Sequence, residues 1–139
     1  MIREATEADI PQLLEWGRLF ADMARLDDHI GFDEDSVRQT LETMIAAPEH
    51  VVFISERGMI GGITAPHPFN YERIVCEELF WWSEGGDGLR LLAALEQWAR
   101  ARCFALGMKT LDAVQPEATG RLYSKMGFEP LERGFLKVL

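Results

Sequence analysis

Cysteine is scarce in this 139-residue chain, which holds only Cys76 and Cys103. Neither sits in a paired-cysteine spacing, so both read as reduced core residues and not as a disulfide framework. A reducing cytoplasm is the expected compartment. Histidine is as thin: His29, His50 and His67 are scattered, form no HExxH, and give no metal site. Positive charge is also short, with 14 basic residues against 23 acidic ones and a net charge of −9. The longest basic cluster is Arg100-Ala101-Arg102. That is too little to displace phosphate counterions, so nucleic acid is not an expected partner. The same charge argues against anionic membranes. No apolar run approaches the roughly 18 residues of a membrane span. The opening MIREATEADI lacks the basic and apolar regions of a secretory leader. A GxSxG elbow is missing too, which leaves a serine hydrolase unsupported.

What is there suits one globular domain spanning residues 1–139. Apolar residues make up 47% and charged residues 27%, and no linker or repeat interrupts them. Met1 to Ala5 reads as a short strand, and Thr6 with Asp9 has the spacing of a capping box. Ile10, Leu13, Leu14, Phe20 and Met23 then recur at helical spacing to about Leu26. Trp16 and Phe20 read as core. The acidic turn 27–35 is either a solvated stretch or an attractor for a cation. A second helix begins between Asp33 and Ser36 and ends at Pro48. His50–Glu56 and Met59–Ala65 form a hairpin, Pro66 to Asn70 a loop, and Ile74–Trp82 a strand buried on both faces. Leu89 opens a helix that runs to Gly107, with Trp98 in its core stripe. Lys109–Val114 is predicted as a strand, Glu117–Met126 as a helix stopped by Gly127, and Phe128–Leu139 as further strand. The order predicts an α/β domain with at least one parallel crossover.

The segment richest in chemical content runs from Glu77 to Leu92. A strand enters the cluster Gly85-Gly86-Asp87-Gly88, which opens directly into a helix. Glycines let a ligand approach the main chain, and a helix start offers free N–H groups and partial positive charge. That combination suits a pyrophosphate without any cationic side chain. A plain strand-to-helix turn explains the same glycines equally simply. Leu91 stands where GxGxxG needs glycine, and GxxxxGK[ST] is nowhere in the chain.

A second stretch, Leu122-Tyr123-Ser124-Lys125-Met126-Gly127-Phe128, reads L-Y-x-K-x-G-F. Together with the glycine turn and the opening Ile2-Arg3-Glu4-Ala5-Thr6, it resembles the GNAT superfamily of acyl-CoA N-acyltransferases along essentially the whole chain. The resemblance implies a single α/β domain with a mixed, partly splayed sheet. It also implies an acetyl-CoA co-substrate and an amine acceptor. Phe80, Trp81 and Trp82 would lie along the pantetheine arm through main-chain groups. Ser83, Gly85, Gly86, Asp87, Gly88 and Leu89 would form the pyrophosphate turn. Ser83 stands where the family has Arg or Gln, the turn is short, and Pro116 replaces a frequent asparagine.

By the same resemblance, Tyr123 would be the general acid for the departing thiolate once a neutral amine has attacked the thioester. A phenol near pKa 10 and a thiol near 8.5 are close enough for transfer if the site adjusts either. A tyrosine packed at a helix end beside Phe128 is the bland alternative. A base is needed to keep the amine neutral. Glu77 and Glu78 sit in an otherwise apolar strand, where an unpaired carboxylate is costly. Neighbours on a strand point to opposite faces, so at most one reaches the acceptor, and Glu78 is the preferred candidate. The rival reading is a non-catalytic CoA-binding or protein-interaction module on the same fold, favoured by Ser83, the short turn and Pro116. An edge strand near the C-terminus would allow a homodimer.

Overall fold

A computed structural model describes residues 1–139. Its order is β1 (Arg3–Glu4), α1 (Ile10–Met23), α2 (Glu34–Ala46), β2 (Val51–Ile54), β3 (Gly58–His67), β4 (Asn70–Ser83), α3 (Gly88–Arg100), β5 (Ala105–Gly107) and α4 (Pro116–Lys125). The five strands form one sheet in chain order, antiparallel except for the parallel pair β4 and β5. Helix α3 makes the parallel crossover that the element order predicts. No helix is long and apolar enough to cross a membrane.

Alternation along β2 explains the layering. Val52 and Ile54 join Leu13, Leu14, Trp16, Leu41, Met44 and Met59 in a core beneath α1 and α2. Val51 packs on the other face with Ile60, Cys76, Leu91, Leu92, Leu95, Trp98 and Tyr123 beneath α3. A two-residue side-chain period in the strand thus meets helical stripes on both sides. The start of α1 is fixed as its sequence predicts: the Thr6 N–H donates to the Asp9 carboxylate at 2.8 Å. The Arg3 guanidinium binds both Asp9 oxygens and holds that carboxyl well below its usual range.

Several expectations are corrected. Helix α3 ends at Arg100 and not at Gly107, because Ala99 to Phe104 is a five-residue step that leaves the helical stripe. The Phe104 N–H is instead captured by the Ile74 carbonyl at 2.8 Å, which starts the β4–β5 pairing. Residues 109–114 are turn and irregular chain, since the sheet takes its fifth strand earlier, at 105–107. Residues 128–139 form no strand either, so the edge expected to support a homodimer is not built. Strand β4 is not covered on both faces: Asn70–Arg73 run beyond the helical layers, and Glu77 is exposed. The turn between β3 and β4 shrinks to Pro68 and Phe69.

Gly17 lies inside α1, where an added Cβ would meet only Phe32 and Val37, each at 3.8 Å. Gly17→Ala is therefore expected to stabilise the protein by about 0.5–1 kcal/mol through helix propensity. A urea titration should show a higher midpoint with an unchanged slope.

Candidate functional site

The site is set by where β4 parts from its neighbours. On one side, β4 pairs with β3 along its length, but the register jumps from Gly61↔Phe80 to Gly62↔Glu78. Leu79 is the extra residue, a bulge that turns Leu79 and Phe80 toward the α1/α2 face while Glu78 faces α3. On the other side, β5 pairs only with Val75, Cys76 and Glu77. From Glu78 to Ser83 that edge of β4 has no strand partner. The sheet is open there, as the splayed-sheet expectation requires. Gly107 ends β5 at the fork, where a side chain would run into the Glu77 carboxylate.

Glu78 is 6% exposed, and burial pushes its carboxyl up to about 7. The nearby Lys109 charge and N–H pull it back, and Glu77 adds a smaller upward push. Its Oε1 accepts the Lys109 N–H at 3.4 Å, while the Lys109 ammonium donates to the Glu78 carbonyl at 2.8 Å. The Tyr123 hydroxyl donates to the Lys109 carbonyl at 2.8 Å. Lys109 therefore joins the two candidate proton-transfer residues across the fork. Its position follows from β5 ending at Gly107, which could not be foreseen once a strand was expected at 109–114. Burial raises the Tyr123 phenol above its ordinary value. The ring stacks on Trp81 at 6.4 Å and packs against Phe128 at 5.5 Å, so the packing alternative describes its surroundings accurately. Glu77, by contrast, is exposed.

The aromatic run divides by face. Phe80 and Trp82 pack on the core under α1 and α2, and Trp81 on the core under α3. The Trp81 indole N–H donates to the Gly88 carbonyl at 3.1 Å, while the buried Trp82 N–H has no acceptor. The glycine turn is internally wired. The Ser83 hydroxyl donates to Asp87 at 2.7 Å and accepts the Gly85 N–H at 3.3 Å. Hydroxyls of Ser55 and Ser83 hold the Asp87 carboxyl below its ordinary value, so it stands ionised at the start of α3. Arg57, from the β2–β3 turn, lies over Gly85 and donates to the Glu84 carbonyl at 3.2 Å. Gly86 borders open space and Leu89 is exposed.

On the other face, α1, α2 and their connection enclose a cavity of about 580 Å³ against Met59, Leu79 and Phe80. Eleven of its sixteen lining residues are apolar, Phe20 and Leu41 among them, and Asp33 is the single charged one. Sequence periodicity placed Phe20 in the core; it is instead a wall of this cavity.

No sequence-family profile and no curated protein sequence matches the chain. Solved structures do. One is a transcriptional regulator from Bacillus halodurans C-125, with 19% identity, a TM-score of 0.76, and coverage of 100% of this chain and 99% of that one. Another is the aminoglycoside acetyltransferase AAC(6')-Iy bound to a bisubstrate analogue of CoA and acetylneamine. Its identity is 14%, its TM-score 0.74, and the coverage 99% and 95%. An acetyltransferase from Trypanosoma brucei aligns with 18% identity, a TM-score of 0.69, and coverage of 100% and 99%. With its open mixed sheet and flanking helices, the chain has the GNAT acyl-CoA N-acyltransferase fold.

Proposed function

We propose that the protein is an N-acetyltransferase that moves an acetyl group directly from acetyl-CoA to an amine. The observation that carries this reading is the free edge of β4 beyond Glu77, flanked by a buried carboxyl near pKa 7 and a buried phenol. An extended pantetheine arm would satisfy main-chain groups of residues 79–82 that have no strand partner, much as an added strand would. Gly86 and the N–H groups opening α3 would face the pyrophosphate. Acetyl-CoA would supply the activated acyl group. Glu78 takes the proton from the ammonium, through water at the fork since the carboxyl lies on the α3 face. The neutral amine then forms the new C–N bond as the C–S bond breaks. Tyr123 releases its hydrogen bond to the Lys109 carbonyl and gives its proton to the departing sulfur, and the proton shed by the acylated nitrogen returns Tyr123 to the phenol. A phenol held above its ordinary pKa stays protonated in the resting enzyme, as an acid must.

A non-catalytic CoA-binding module is the second reading, and one observation weighs on both: ionised Asp87 occupies the helix start where a pyrophosphate would sit, and lowers anion affinity. Both readings give the same first test. Calorimetry should show micromolar binding of acetyl-CoA, and Asp87→Asn should tighten it severalfold. Consumption of acetyl-CoA with an amine separates enzyme from module. Absence of binding by both proteins at millimolar ligand would remove both readings and leave only the fold.

A further inference from the structure

We infer that the cavity between α1, α2 and β4 holds an acceptor with an apolar body, an arylalkyl or branched-alkyl primary amine, and excludes polycationic amines. This rests on the acetyl-transfer reading for its chemistry, while the cavity itself stands independently. Its 580 Å³ suits a small molecule. Its walls are Leu13, Phe20, Leu26, Val37, Leu41 and Phe80, and they offer dispersion contacts but few hydrogen-bond partners.

A polycation would need several unpaired carboxylates, because each ammonium brought out of water requires a partner. The acidic turn does not provide them. Asp27 pairs with Arg18 at 2.6 Å, Asp28 with Arg25 at 2.7 Å, and Glu34 with Arg38 at 3.2 Å. Asp33, the one charge in the wall, is occupied by the Ser36 N–H at 2.9 Å and the Ser36 hydroxyl at 2.6 Å, which cap α2. Of the turn's carboxylates only Asp35 has neither an ion-pair nor a hydrogen-bond partner, and it lies outside the cavity wall, so the turn does not offer a polycation the several free carboxylates it needs. One ammonium can still leave the apolar wall at Leu79 and Phe80, the bulge beside Glu78.

Gly17 on α1 and Val37 on α2 are neighbours in the cavity wall, where a Cβ at 17 would already touch Val37 and Phe32 at 3.8 Å, so a larger side chain at either position takes up cavity space. The experiment compares 2-phenylethylamine, spermidine and kanamycin as acceptors, with Gly17→Leu and Val37→Phe as filling variants. The expected result is at least a tenfold higher kcat/KM for 2-phenylethylamine than for either polycation. Each filling variant should lower that value at least tenfold while calorimetry with CoA is unchanged, which also certifies folding. Preference for spermidine or kanamycin, or filling variants without effect, would overturn the inference while leaving acetyl transfer intact. If no amine is turned over, ligand-observed NMR with 2-phenylethylamine decides the cavity alone. Binding lost in both variants supports it, and no binding to the unmodified protein overturns it.

Discussion

Replacing Glu78 with Gln is expected to make the protein more stable at pH 8 and far slower as a catalyst. The carboxyl is almost fully buried and held at about 7, against an ordinary value near 4.5. Between those two values the folded chain binds more protons than the unfolded chain, so raising the pH through this window costs stability. The loss is complete above pH 7 and amounts to roughly 3 kcal/mol at 1.36 kcal/mol per unit. Glutamine keeps the acceptor for the Lys109 N–H and never ionises. Its advantage over the parent should be absent below pH 4.5, grow to pH 7 and then hold constant. Turnover should move the other way. Loss of a general base removes about 10²-fold or more, together with the acid limb of the kcat/KM profile near pH 7. A variant that gains stability at pH 8 but keeps its turnover and its pH limb would leave Glu78 a buried structural acid and nothing more.

The second large effect is expected of Tyr123→Phe. Removing the hydroxyl should lower kcat by about 10–100-fold with CoA affinity nearly intact, because the ring, its stack on Trp81 and its contact with Phe128 all remain. The Lys109 carbonyl loses its donor, at a cost of about 1 kcal/mol. Burial raises the phenol, which makes it a weaker acid, but a thiolate formed in the same gap is raised by the same cause. The discriminating readout is the leaving group. An acetyl thioester of a more acidic thiol needs less protonation, so the gap between Tyr123→Phe and the parent should narrow with it. An equal gap for both thioesters would assign the loss to packing. No alkaline limb from Tyr123 is expected below pH 10.

Much of the architecture is legible in the sequence because local periodicity and burial agree there. Both α1 and α2, the β2–β3 hairpin and the turn into α3 fall where apolar spacing and caps put them. The last third is different. Phe104 to Gly107 look like a helix tail until the Ile74 carbonyl claims the Phe104 N–H, a partner thirty residues away that no local pattern shows. Residues 128–139 alternate polar and apolar in places yet find no sheet neighbour, because β5 is only three residues long. Strand alternation lets at most one of Glu77 and Glu78 turn inward, and the buried one is Glu78, the preferred candidate. Glu78 follows buried Cys76 by two residues on the same face, and the bulge at Leu79, which sequence does not announce, resets the faces only beyond it. Lys109 was invisible as a site residue, since its place depends on the end of β5.

The open edge of β4 also makes the protein its own reporter. Alternate amides along a strand point to opposite neighbours, so those aimed away from β3 between Glu78 and Ser83 face no carbonyl of β5. Their deuterium uptake need not wait for the domain to open, whereas the amides aimed at β3 must. Two exchange rates should therefore alternate along one short peptide. A molecule that lies down in the fork would slow only the fast set, leaving a footprint with single-residue spacing and needing no label, chromophore or turnover to be seen.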